Sequence, residues 1–453
     1  MALAVEVRAH PAGPVDPRRF SWWAQQWWEV WAADPDRSPT TLAVTESRLR
    51  LHVRPWFGER PINRIGPADV RRWQAHLTSS TGYPTLMQCR SLVLRILQFV
   101  VDEGAIEANP VRKVPSPRRR VDPDQVLDTT RRRALTPEEA GRLLAQFPLF
   151  WWDHVVCLLG TGLRFGKLAG LRRRRVQLNR PMPLLQVVDT RYQAGRFGSG
   201  FKPRPKSDAS IRELPLAPLV VEAICRQLPP GSDPSDLVFT GPGGGPGGPG
   251  DGGVPKGTRT VLSRHNLHRT YQTALAKLAD PTGELRPTAA RVLKALRAGG
   301  PQTADQLTDA LAARGRAIRA GTIVAALAEL EAADLVADTG EDHQPQWVAL
   351  PTTPDPLLDS VDLHGAHDFR HTFATWLEDA GIPARVIDEV MGHEATSRVS
   401  QQRGSAMGAH YRHTTPEMAA RIVAALKQRL RVVLQVADQA LEAHPSRSTH
   451  RVF

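Results

Sequence analysis

The sequence predicts a mainly α chain with a small antiparallel sheet, an α+β fold in which a helical N-terminal domain precedes a larger domain carrying a winged-helix-like insert. Three observations predict it. Trp22, Trp23, Trp27, Trp28 and Trp31 fall at i, i+1, i+5, i+6 and i+9, close to one helical face. Strand-like alternation is confined to short stretches, chiefly Leu184–Asp189 and Arg212–Leu216. Residues 286–350 follow a compact helical pattern of their own that ends in two short strand-like segments. At 453 residues there is chain enough for two or three domains, each burying its own core.

Taken in order, residues 1–19 are expected to be disordered and 20–115 to form the helical domain. Ser38-Pro39-Thr40 starts a helix, with proline at its first position. Another begins at Pro67-Ala68-Asp69-Val70. A third runs from about Thr85 to Glu103, stopped by Gly104 and then Asn109-Pro110. The tryptophan face reads as core. A basic, proline-punctuated linker, 116–134, holds Arg118-Arg119-Arg120 and Arg131-Arg132-Arg133. It reads either as a solvated link or as a segment lying along a phosphate backbone.

The first part of the larger domain spans 135–280. Thr136-Pro137-Glu138-Glu139 is a capping box, and a buried helix follows through Val155 to Leu159. At 241–257, GPGGGPGGPGDGGVPKG, the composition collapses to a flexible linker or surface loop that cannot form core. In the insert, Leu293 and Leu296 mark one helix, Ala304 to Ala313 a second and Ala317 to Leu335 a third. A wing of Leu335–Thr339 and Gln346–Leu350 follows. Such a module resembles a winged helix-turn-helix, and its mildly charged surface leaves DNA contact and protein contact both open. Residues 351–443 complete the larger domain, and 444–453 form a tail. On a final helix from Pro416 to about Ala443, an apolar stripe of Ile422, Ala425, Leu426, Leu430, Val433 and Leu434 suggests docking on a neighbouring copy, with packing on its own domain as the alternative.

The balance of charge is strongly basic, 59 Lys and Arg against 46 Asp and Glu, a net +13. That surplus points to a polyanionic partner, nucleic acid being the commonest, although an arginine-rich codon usage would produce it too. Cys89, Cys157 and Cys225 are widely spaced and show no metal-ligand spacing, which suits a reducing cytoplasm and excludes a zinc motif. The opening MALAVEVRAHPAGPVDPRR has no long apolar core, and no apolar run approaches a membrane span. A cytoplasmic protein without membrane contact is expected.

The chemistry gathers in a few short motifs. Thr161-Gly162-Leu163-Arg164 places an arginine just after a glycine turn. Lys202-Pro203-Arg204-Pro205-Lys206-Ser207 is a basic turn ahead of Ser210-Ile211-Arg212-Glu213-Leu214-Pro215-Leu216. His367-Asp368-Phe369-Arg370-His371-Thr372 spaces a histidine and an arginine by three, on one helical face. Met391-Gly392-His393 follows, and then His410-Tyr411-Arg412 ahead of a helix. A phosphodiester is anionic and unreactive, so cleaving it requires neutralising charge on its non-bridging oxygens. Arg164 and Arg370 are planar forks suited to that task, and His393 can add a donor. Tyr411 carries a phenol with an ordinary pKa of ~10, so it needs a base or a strong positive field to attack.

These five motifs, in this order, resemble the tyrosine recombinase or phage integrase family over about residues 20–440, interrupted by the two inserts. The N-terminal helical unit resembles that family's core-binding domain through Ser38-Pro39-Thr40, Trp56-Phe57-Gly58 and Asn109-Pro110. The resemblance implies a helical core-binding domain and a tyrosine-recombinase catalytic domain, acting as the integrase of a mobile element. Its activity would be site-specific strand cleavage through a 3′-phosphotyrosine and a Holliday junction. It implies Tyr411 as nucleophile, Arg164, Arg370 and His393 on the phosphate, His367 as base and Lys206 as general acid. No cofactor is implied, neither ATP nor metal, because the phosphotyrosine conserves the bond energy. The implied partners are double-stranded DNA with specific attachment sites and three further copies of the chain in a homotetramer. There is room for a directionality or host accessory factor. Arg118, Arg119, Arg172, Arg173 and Arg204 are candidate DNA contacts.

Two departures stand out. Three residues beyond Arg164 the family usually carries a carboxylate, and here the residue is Lys167. Lys167 could strengthen phosphate binding or misplace Arg164. The spacing from His393 to Tyr411 is also longer than the family's usual one, and a longer tether would let Tyr411 swing or reach a neighbouring subunit. Two rival readings remain open at this point: a DNA-binding relative that has lost catalysis, and a type IB topoisomerase-like relaxing enzyme.

Overall fold

A computed structural model describes residues 18–118, 133–202, 211–228, 231–241, 260–278, 285–313, 318–340, 345–350, 363, 365–392 and 414–442. The described residues fall into two compact units: 18–118 with 191–202, and the rest. Lys206, Arg204, His393, Tyr411 and Arg119 lie outside the described residues, as do most of the 241–257 loop and the 444–453 tail.

The first unit is built on α1 (Phe20–Ala32), where Phe20, Ala24, Trp27 and Trp28 are buried, while Trp22, Trp23 and Trp31 of the expected tryptophan face are half-buried. Ser38 caps α2 (Pro39–Arg48), its Oγ accepting the Thr41 N–H at 3.3 Å. A π turn, Leu49–Val53, leads into the short α3 (Arg54–Phe57). At the start of α4 (Pro67–Ser80), Asp69 accepts the Gly66 N–H at 3.0 Å and pairs with both Arg60 and Arg72. The central α5 (Tyr83–Asp102) ends before Gly104, whose φ of 75° is cheap only for glycine.

In the second unit, Leu135 is pinned at once. Its N–H donates to Thr372 Oγ1 and its carbonyl accepts from Trp376 Nε1 at 2.8 Å. The predicted capping box opens α6 (Pro137–Ala145), with Thr136 and Glu139 bonding reciprocally. Helix α7 (Trp152–Thr161) is almost wholly buried and ends on Gly162 at φ 58°. A Cβ there would lie 2.4 Å from Phe373, so this turn requires glycine. After the single turn of α8 (Phe165–Leu168) come β1 (Val176–Gln177) and β2 (Leu184–Val187).

The chain then contributes to the first unit a hairpin of β3 (Arg191–Gln193) and β4 (Ser199–Phe201). Phe197 at its tip lies 6.2 Å from Trp28, and Arg196 pairs with Glu46 at 3.4 Å. Strand β5 (Arg212–Pro215) completes a three-stranded antiparallel sheet in the order β1-β2-β5, with Leu185 opposite Leu214 over the core. Helix α9 (Pro218–Gln227) follows. Gly241 and Thr260 form an antiparallel bridge that closes the base of the Gly/Pro-rich stretch before α10 (Arg264–Leu278).

The insert comprises α11 (Pro287–Gly299), α12 (Ala304–Ala313), α13 (Ala320–Ala332), β6 (Val336–Asp338) and β7 (Trp347–Ala349). Its third helix is shorter than the predicted 317–335. It has its own apolar centre of Leu293, Leu296, Leu307, Ile323, Leu327 and Leu330. The chain ends in α14 (Ala366–Asp379), α15 (Ala384–Met391) and α16 (Pro416–Glu442). This mostly helical architecture with small antiparallel sheets is the predicted fold class.

The stripe on α16 requires a correction. Ile422, Leu426, Leu430 and Val433 are spent inside their own unit, at most 1% exposed, with Ala425 and Leu434 half-buried beside them. Helix α16 packs along α6, where Gly141 permits the approach: a Cβ on it would lie 2.7 Å from the Val433 carbonyl oxygen. An apolar stripe shows that a face is buried but not against what, and here the domain's own core claims it.

Candidate active site

Arg370 is the centre of the site. It sits on α14, is 2% exposed, and donates from Nη1 to the Gly162 carbonyl at 2.5 Å and from Nη2 to the Met391 carbonyl at 2.6 Å. A buried guanidinium is tolerable only where its donors are met, and these carbonyls belong to two glycine-bearing turns. Burial, then the charges of Arg164 and Arg212, push its pKa down to about 9. Arg164 follows the Gly162 turn as the cap residue of α8 and is exposed. Arg212, on β5, donates from Nε to the Val390 carbonyl at 2.5 Å, and burial with the charge of Arg164 pushes it down to about 10. Burial and the positive charge of Arg164 lower both Arg370 and Arg212, and a cluster of cations under that strain favours an anion.

His367 lies one turn before Arg370 on α14, at the surface but partly shielded. Desolvation, then the positive charge of Arg370 and, less strongly, of Arg164, hold its imidazole below the ordinary histidine value; Asp368 opposes them without prevailing. The ring is therefore neutral at neutral pH and able to accept a proton. Asp368 fixes the start of the helix instead: its Oδ2 accepts the Gly365 N–H at 2.8 Å and the Tyr271 hydroxyl at 2.7 Å.

Lys167 is 8% exposed, and its Nζ donates to the Val188 carbonyl at 2.8 Å. The next residue, Asp189, pairs with Arg175 at 3.2 Å. Two cations thus hold the end of β2, and the helical turn that starts at Arg164 is intact around the lysine.

Arg164, His367 and Arg370 are brought together as their motifs suggested. Of the candidate DNA contacts, Arg118 and Arg173 are exposed and Arg172 is half-buried, its backbone bridged to Leu237. Sequence reasoning missed Arg212 as a member of the cluster, although it stands within the quoted Ser210-Ile211-Arg212 motif. It also missed Glu389, four residues before His393, whose Oε1 accepts the Thr414 N–H at 3.0 Å.

Two family models match this chain. The N-terminal SAM-like domain of phage integrases covers residues 19–78, and the phage integrase family model covers 358–406, which includes His367, Arg370 and His393 and stops short of Tyr411. Both matched segments resemble phage integrases, one in each compact unit. The chain is 30% identical over 199 residues to a prophage phiRv2 integrase of Mycobacterium tuberculosis, covering 43% of this chain and 49% of that protein. It is 28% identical over 156 residues to the integrase of Mycobacterium phage D29, covering 34% and 38% respectively. The chain thus spans half or less of the length of the curated relatives it matches. Among solved structures, the Tn1549 transposon integrase with circular intermediate DNA aligns over 88% of this chain and 97% of its own, at 18% identity and a TM-score of 0.43. A lambda integrase tetramer bound to a Holliday junction aligns over 84% and 79%, at 13% identity and a TM-score of 0.41. Among the described residues no helix is long and apolar enough to cross a membrane.

Proposed function

We propose that the chain is a site-specific DNA recombinase, the integrase of a mobile element. The observation that carries this reading is Arg370 held between the Gly162 and Met391 carbonyls, with Arg164, Arg212 and a neutral His367 beside it. In this reading Arg164 and Arg370 bind the non-bridging oxygens of the scissile phosphate and stabilise the charge that grows there. Tyr411 attacks phosphorus, its phenolic proton passing to His367, and the 5′-oxygen leaves with a proton from Lys206. One phosphoester bond is exchanged for another, so rejoining is the same reaction reversed. His393 adds a donor to the phosphate. The DNA partner carries attachment sites, and four copies exchange strands in pairs through a Holliday junction.

Lys167 supports catalysis rather than its loss, because it has a structural partner in Val188 and the Arg164 turn keeps its form around it. The test is incubation with nicked duplexes carrying candidate attachment sequences, followed by denaturing electrophoresis. A denaturant-resistant adduct that vanishes in Tyr411→Phe is expected. No adduct on any site would leave a binding-only relative. An adduct on every sequence, with relaxation of supercoils, would make it a topoisomerase-like enzyme.

A further inference from the structure

The last turn of α15 is a junction of three chain segments. Its Val390 carbonyl takes Arg212 from β5, its Met391 carbonyl takes Arg370 from α14, and the Glu389 carboxylate takes the backbone N–H of Thr414 at 3.0 Å. Val386, Ile387, Val390 and Met391 are all buried, so this turn is anchored in the core rather than free to drift. Thr415 follows directly as the cap of α16, accepting the Met418 N–H on Oγ1 at 3.2 Å and the Ala419 N–H on its carbonyl at 2.9 Å. Thr414 is therefore gripped on one side by Glu389 and leads on the other into a helix packed within the same unit.

We propose that Glu389 is a positioning residue for Tyr411, fixing the chain three residues beyond the nucleophile against the same helical turn that holds Arg370. This rests on the reading of Tyr411 as nucleophile. Three residues of chain span at most about 10 Å. The reach of Tyr411 is thus counted back from Thr414, not forward from His393. Glu389 makes this link with a charge-assisted bond to a backbone donor, so it acts on position rather than on the phosphate.

The test uses the full chain and the nicked attachment duplex that the wild-type protein cleaves, measuring single-turnover adduct formation and DNA affinity separately. Glu389→Ala should slow the adduct by about tenfold or more while DNA affinity stays within about twofold, the size expected for one such hydrogen bond. Glu389→Gln keeps a carbonyl acceptor and should recover at least half of that loss on a logarithmic scale. Wild-type rates in Glu389→Ala, or a glutamine no better than alanine, would overturn the proposal. An adduct persisting in Tyr411→Phe would sink the nucleophile assignment instead, so the two failures are told apart.

Discussion

The catalytic part of the second unit and the insert at 285–350 are both helical and both wrap an apolar centre, yet they treat polar groups oppositely. Around the site, buried charge is wired to backbone carbonyls, Arg370 to Gly162 and Met391 and Lys167 to Val188, while the half-buried Asp368 accepts from the Tyr271 hydroxyl and the Gly365 N–H. Among the described residues of the insert no polar side chain is buried, and its core is Ala, Val, Leu and Ile. Charge differs as well. Residues 285–350 carry seven Lys and Arg against eight Asp and Glu in a chain of net +13, and α13 has no cation at all. Polar wiring inside a core costs stability wherever one partner is lost, so it persists where geometry matters. The insert needs only volume and patterning. A basic, wired region suits phosphate; a near-neutral, self-contained one suits contact with protein better than with DNA.

The largest effect expected from breaking this contrast is at Arg370. Arg370→Lys keeps a charge but cannot fork onto two carbonyls and a phosphate, and adduct formation should fall by about 10²–10³-fold in a single-turnover assay. A fall of less than tenfold would mean that the cluster is not the phosphate site. Next comes Lys167→Glu, which restores the family's usual acidic type. It sets an acceptor against the Val188 carbonyl, so denaturant unfolding should show a loss of about 2–3 kcal/mol. A more stable and faster variant would identify the lysine as a lesion.

A smaller effect sharpens the electrostatics. His367 accepts a proton only when neutral, and its neighbours favour the neutral form. Activity should therefore persist as pH falls past the ordinary histidine range and be lost only as pH drops through the depressed value. An acid limb in the pH–rate profile at or above about 6.5 would contradict this. The smallest effect is expected from replacing 285–350 by a short Gly/Ser link. Cleavage of a nicked core-site duplex should stay within about twofold, while full recombination weakens. Equal loss of both would show that the insert shapes the site.

The placement of the arginine–histidine cluster was legible where residue type and spacing jointly specify it. His367 and Arg370 at i and i+3 can only share a helical face, and Gly162 ahead of Arg164 marks a turn. Arg212 and Glu389 were not, because their partners are a backbone carbonyl and a backbone N–H, which every residue possesses and no sequence distinguishes. The same limit hid the home of residues 191–202. Arg196 and Phe197 look like ordinary loop residues until Glu46 and Trp28 are seen beside them. On α16 the stripe was legible and its partner was not.

That hairpin alters how the protein can be divided. The chain leaves the second unit after Thr190, builds two strands in the first, and returns after Lys202. A single proteolytic nick between residues 118 and 133 would therefore not yield two complete halves. A fragment beginning at residue 133 would carry Phe197 away from Trp28 and leave an aromatic hairpin tip without its seat, a recipe for insolubility on expression. The two units are stitched rather than strung, and a workable dissection needs either two cuts or a tethered pair of fragments.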